Sequence, residues 1–207
     1  DATVTRPQDV ELALFRALPG DLSVLTPSEA SDTDTVAVTA DTARKWNLTS
    51  IADLAAHSAE VKFGAPSEFL NRPEGLPGLK KNYGLDIPEK NFVAISDGGG
   101  PATVRALADG TVTAADLFST SPAIGQHNFV VLADPKNNFP AGNVVPVVSS
   151  QKKSTELKRV LDAVSAKLTT EGLIKLNAAV SGNSGVDPDE AARKWLADNQ
   201  LDRPVGG

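Results

Sequence analysis

Between Thr35 and Phe118, short β-branched or apolar runs alternate with capped helical segments, and this rhythm constrains the fold more than any other feature of the chain. Strands are expected over 35–39, 61–64, 92–96 and 111–118. Between them, Ser50 with Asp53 three residues on opens a helix, Leu76 to Tyr83 forms a second that Gly84 stops, and Pro101 to Ala108 forms a third. Strand, helix, strand in succession implies an α/β architecture with parallel-rich sheets and right-handed crossovers. Before this region, an apolar helical stripe over 7–18 ends at Pro19-Gly20 and a strand follows at 22–25. After it come strands at 129–133 and 144–148, then helices. Leu157, Val160, Leu161, Val164 and Leu168 share one helical face, and Leu173, Leu176 and Val180 share another. The last helix starts with Asp187 as cap, Pro188 at the first position and Glu190 as a reciprocal acid.

A chain of 207 residues has room for one sizeable core or two small lobes, and no flexible linker separates independent domains. Its 41% hydrophobic and 22% charged residues are those of a globular protein. No apolar run approaches the ~20 residues of a membrane-spanning helix, so no direct membrane span is expected. With 20 basic against 26 acidic side chains the formal charge is -6, the opposite of a nucleic-acid footprint. Zero Cys excludes disulfides, thiolate metal sites and cysteine nucleophiles, and fits an oxidising compartment as well as any other. Zero Met, with a start at Asp1-Ala2-Thr3, leads to the expectation that the sequence is processed, truncated or partial and that any targeting segment lies outside it.

Catalytic signals are sparse. His57 and His127 do not have metal-ligand spacing, and the phrases G-x-S-x-G, H-E-x-x-H and D-x-D-x-D-G are absent. A small α/β serine hydrolase would have to use Ser119 or Ser121 with His127. Gly98-Gly99-Gly100-Pro101, between a strand and a helix, is either a tight turn or an anion-holding loop. It is neither a Walker loop nor a dinucleotide fingerprint, and no cofactor or metal is expected.

Two phrases at strand ends are candidates for binding. In Glu68-Phe69-Leu70-Asn71-Arg72-Pro73-Glu74, the guanidinium of Arg72 either grips a carboxylate with two hydrogen bonds or pairs with Glu68 or Glu74. In Phe118-Ser119-Thr120, the ring either holds an ammonium by cation–π attraction or closes the core.

In order and spacing, five phrases resemble one family. They are Pro66-Ser67-Glu68-Phe69 with Arg72 and Glu74-Gly75-Leu76; Tyr83-Gly84; Asp97-Gly98-Gly99-Gly100-Pro101 with Thr103; Ala115-Asp116-Leu117-Phe118-Ser119-Thr120; and Val131-Leu132 with Asp134-Pro135 and Asn143-Val144-Val145-Pro146. The family is the glycine betaine, choline and carnitine type of substrate-binding protein (ProX/OpuAC-like) that serves ABC importers in osmoprotection. The resemblance implies a two-lobed type II periplasmic-binding-protein fold with the first lobe incomplete. Residues 1–33 would be a remnant of lobe I, 34–132 lobe II, and 133–207 the C-terminal part of lobe I. Hinges are then expected near 32–35 and 131–134, and the helix over 7–18 would have lost neighbours.

The resemblance further implies an extracytoplasmic, non-enzymatic component that binds a small zwitterionic or polar solute in an interlobe cleft. Its partners would be ABC permease subunits. A lipid anchor would lie outside this chain, and the state would be monomeric. By matched position Arg72 is the carboxylate binder and Phe118 stands for a cage Tyr. Ser119, Thr120 and Asn143 supply polar contacts. Thr35 stands where betaine-specific relatives carry an aromatic, and Gly142 replaces a Tyr. With ~0.5–2 kcal/mol lost per missing ring, the pattern predicts weaker ammonium binding or another polar solute. The effector domain of a transcription regulator, which shares this architecture, is the alternative binding reading.

Overall fold

The computed structural model describes residues 4–182 and 185–203. In chain order its elements are α1 (Pro7–Ala17), β1 (Leu22–Val24), β2 (Asp34–Thr39), α2 (Ala40–Trp46), α3 (Ile51–Ala55), β3 (Phe63–Ala65), α4 (Leu76–Tyr83), β4 (Phe92–Ala94), α5 (Pro101–Ala108), β5 (Ala114–Phe118), α6 (Pro122–Gln126), β6 (Phe129–Val131), β7 (Val147–Ser149), α7 (Thr155–Ser165), α8 (Thr170–Val180) and α9 (Pro188–Asp198), with 3₁₀ turns at Ser67–Leu70 and Glu89–Asn91. They form two compact units. One is built on Thr33–Pro140, and the other on Pro7–Asp32 together with the chain from Ala141 onward.

The first unit is a five-stranded sheet in the order β4-β3-β5-β2-β6. β3 runs parallel to β4 and β5, whereas β2 runs antiparallel to both β5 and β6. The expected α/β class is present, and the sheet is mixed rather than dominated by parallel pairs. The strand-helix rhythm reports the crossovers that join β3, β4 and β5. It carries no information on the direction of β2, because a strand buried on both faces reads the same either way. Alternation along the strands sends Val36, Val38 and Ala114 into one core with Ile51, Leu54, Phe63, Phe69 and Leu79. Ala37, Ala115 and Leu117 enter a second core on the opposite face with Leu107, Val112 and Phe129.

Local chemistry fixes the ends of these elements. The Asp53 carboxylate accepts hydrogen bonds from the N–H groups of Ser50 and Thr49 and from the Thr49 hydroxyl, closing the first turn of α3. Its pKa is thereby drawn down to about 2. Gly84 ends α4 at φ 74°, a left-handed conformation that suits glycine. α2 is missing from the helices expected above, although its caps are visible once located: Thr39 accepts from Thr42 N, and Asn47 takes the left-handed position at φ 52°. α6, opened by Ser121-Pro122, is a second unexpected helix. β3 and β5 start later than expected. Val61 N still closes the preceding turn on His57 O, and Val112 N returns to Ala106 O to finish α5.

In the second unit β1 and β7 form an antiparallel pair, with Leu22 opposite Ser149 and Val24 opposite Val147. The expected strand at 144–148 shifts towards its C-terminus because Pro146 has no N–H to give. Residues 143–146 instead exchange backbone bonds with the 25–31 segment, Leu25 N to Pro146 O and Val144 N to Ala30 O. α7 is capped by Ser154, α8 by Thr169 and α9 by Asp187, which accepts from Asp189 N. α1 buries none of its residues, and Phe15 on it is 69% exposed.

Candidate functional site

Parallel pairing brings the C-terminal ends of β3, β4 and β5 to one edge of the first unit's sheet, and antiparallel pairing makes β2 begin there, with Asp34 opposite Phe118. In open α/β sheets this edge is where loops build ligand sites. Three loops and the start of β2 therefore converge on it.

The loop after β3 presents Arg72. Its anchor is Phe69, 1% exposed, which stacks on Phe63 with ring centroids 5.6 Å apart. Arg72 N donates to Glu68 O at 2.9 Å and Arg72 O accepts from Gly75 N at 2.9 Å, so the backbone on both sides of the arginine is tied down. Gly75 is required here: a Cβ at that position would stand 2.1 Å from Phe69 O. The guanidinium lies over the Phe69 ring with Cζ 5.2 Å from its centroid.

The sequence left open whether Arg72 pairs with an acid, and the structure gives it two. Asp34 accepts a hydrogen bond from Nη2, and Glu74 Oε1 lies 3.4 Å from Nε. Glu68 is not among these partners. Asp116, 6% exposed, stands on the same face of the sheet two residues before Phe118 and opposite Val36. Burial and the nearby charge of Asp34 push its pKa up to about 7, against an opposing pull from Arg72.

Phe118 is 41% exposed and offers its ring at this edge. Ser119 secures the start of β2: its N–H donates to Thr33 O at 2.8 Å and its hydroxyl accepts from Thr33 N at 3.0 Å. Thr120 is buried, at 3% exposure. Thr35 sits on the opposite face from Asp34, Asp116 and Phe118, and its hydroxyl donates to Leu117 O at 2.7 Å. Asn143 belongs to the second unit, where its Nδ2 donates to Ser28 O at 3.0 Å. The structure thus gathers Arg72, Phe118, Ser119 and Thr120 in the first unit and adds Asp34 and Asp116, which the sequence reading did not single out as site residues. The sequence signal for Asp116 was its two-residue spacing from Phe118, which places both on one face of a strand.

Gly98 and Gly99 adopt φ 60° and 75°, so the glycine loop is the tight turn. The amides at the start of α5 are already taken. Asp97 accepts from Ala102 N at 2.6 Å and Thr103 N at 3.2 Å, and also from the Thr103 hydroxyl at 2.6 Å. His57 stacks on Trp46 at 4.3 Å and His127 on Phe129 at 5.2 Å. Phe129 pairs with Thr39, at the far end of β2 from Ser119. Five residue steps of strand, about 17 Å, separate those ends. Ser121 and His127 flank α6 at opposite ends, about 9 Å of helical rise apart. Neither serine reaches His127. Among the described residues no group of three or more acidic, His or Cys side chains is arranged to hold a metal ion, and no helix is long and apolar enough to cross a membrane.

Comparison with known proteins places this edge in context. Residues 14–198 match the family described as the substrate-binding domain of the ABC-type glycine betaine transport system. The chain is 32% identical over 179 residues to the glycine betaine-binding protein YehZ of Escherichia coli, covering 83% of this chain and 58% of that protein's length. The solved structure of apo YehZ superposes with a TM-score of 0.69 at 28% identity, over 94% of this chain and 70% of that one. A crystal structure described as a glycine betaine/carnitine/choline ABC transporter gives a TM-score of 0.81 at 25% identity, over 98% of this chain and 74% of its own.

Proposed function

Because the chain belongs to the family of substrate-binding domains of ABC-type glycine betaine transport systems, which bind solutes and perform no chemistry, we propose that it is the solute-binding component of an importer for compatible solutes. The fold is that of the type II periplasmic binding proteins. The ligand in this reading is glycine betaine or a related zwitterionic osmoprotectant.

One observation carries the assignment: a guanidinium on an immobilised loop and a half-exposed ring meet at the strand-end edge of one unit. Arg72 supplies directed N–H groups for a carboxylate, and Phe118 supplies a face for an ammonium. Ser119 holds the strand end that places the ring. The unit built on Thr33–Pro140 acts as lobe II, and the other contributes to lobe I with Asn143. Solute binding shifts the protein's population towards a form that the permease subunits recognise. The family's extracytoplasmic setting accords with zero Cys, and in this reading the protein acts there as a monomer.

Thermal unfolding of the full-length protein against betaine, choline, carnitine, proline and sugars tests the reading. At a hundred times Kd a true ligand stabilises by ~2.7 kcal/mol. A selective upward shift with ammonium solutes supports it, and a shift only with sugars overturns the ligand class.

A further inference from the structure

Among the described residues, three buried side-chain polar atoms have no hydrogen-bond partner, and all three lie in the cluster around Arg72: Arg72 Nε, Glu74 Oε2 and Asp116 Oδ1. Arg72 Nε is near Glu74 Oε1 at 3.4 Å without the alignment of a hydrogen bond. Folded proteins satisfy almost every buried polar atom, so bare ones gathered at the edge proposed to bind solute call for a hydrogen-bonding counterpart. Asp116 is the most telling of them. It is 6% exposed, and the register of β5 against β2 turns it to the face that carries Asp34 and Phe118.

The hydrogen-bond inventory of the cluster is lopsided. Asp34 already accepts from Arg72 Nη2, and the buried atoms without a partner are one donor, Arg72 Nε, and two acceptors, Glu74 Oε2 and Asp116 Oδ1. A trimethylammonium carboxylate has acceptors and no N–H or O–H. Above about pH 7, with Asp116 ionised, it can satisfy arginine but leaves both acids bare while removing them further from water. A solute with an N–H or O–H beside its cationic centre meets the arginine and an acid together.

We propose that this site selects solutes carrying at least one N–H or O–H donor, with Asp116 as the principal acceptor and Glu74 as the second, over fully methylated, donor-free betaines. The proposal rests on the reading that solute binds beside Arg72 and Phe118. Burial and the charge of Asp34 disfavour an ionised Asp116, and a cationic donor supplies the stabilisation its carboxylate lacks.

A methylation series isolates the effect, because glycine betaine, N,N-dimethylglycine and sarcosine share one carboxylate and differ in N–H count. By calorimetry on the full-length protein, dimethylglycine should bind at least about tenfold more tightly than glycine betaine. In Asp116→Asn, and separately in Glu74→Gln, that ratio should shrink. Glycine betaine binding as tightly as dimethylglycine or more so overturns the selectivity while leaving the solute-binding reading intact. A ratio unchanged in both variants overturns the assignment to these two acids. Failure of the whole series, and of choline and carnitine, to give saturable binding removes the solute-binding reading and this inference with it.

Discussion

Asp34 accepts a hydrogen bond from the guanidinium of Arg72, so an internal acid already occupies part of the arginine that the proposed solute would use. A solute carboxylate therefore competes with Asp34. Asp34→Asn is expected to raise affinity for carboxylate solutes by about three- to tenfold and to lower stability by about 1 kcal/mol, since the pair is only partly buried. Parallel titration calorimetry and urea denaturation read both effects. Unchanged affinity would show that the pair persists in the complex.

Asp116 gives stability a pH signature. Its pKa is pushed up to about 7 in the folded protein, against about 3.9 in an unfolded chain. The folded state thus holds the proton more tightly. The resulting stabilisation is complete below about pH 4 and is lost as pH rises through about 7. Asp116→Asn, which cannot ionise, should be more stable than wild type at about pH 8 by on the order of 2–4 kcal/mol, with the gain vanishing near pH 4. A pH-independent difference in denaturation midpoint contradicts this.

Gly75 sets the arginine loop. With a Cβ facing Phe69 O at 2.1 Å, Gly75→Ala must displace the turn that ties Arg72 O to Gly75 N. The expected cost is about 2–4 kcal/mol, read as a lowered melting temperature, with weaker solute affinity alongside it.

Phe118 is half exposed, so removing its ring should spare the fold and weaken ammonium binding. Phe118→Ala is expected to reduce affinity by about two- to thirtyfold, corresponding to ~0.5–2 kcal/mol of cation–π attraction, and Phe118→Tyr to retain it. Tryptophan fluorescence titration or calorimetry can follow the change.

Where structure follows short-range chemistry, the sequence announced it. The Asp53 carboxylate closing on Ser50, Gly84 ending α4 and Asp187 opening α9 each depend on residues within a few positions. Arg72 and Phe118 were visible as strand-end residues in characteristic phrases. The acids around Arg72 were harder to see. Asp34 lies 38 positions from its partner, and only the antiparallel register of β2 on β5 brings Asp34 to the face that carries Asp116 and Phe118. The same register turns Thr35 away, a consequence of two-residue alternation that a strand boundary drawn at Thr35 hid.

The most direct test of the central claim is isothermal titration of the full-length protein and of Arg72→Ala with the zwitterion that stabilises it best. The account predicts a single saturable site in the wild type. In Arg72→Ala, affinity should drop at least about thirtyfold, the worth of ~2 kcal/mol of charge-assisted hydrogen bonding, while circular dichroism stays native. Equal affinity in the two proteins would contradict it, because the solute would then bind away from the strand-end edge that Arg72 and Phe118 define.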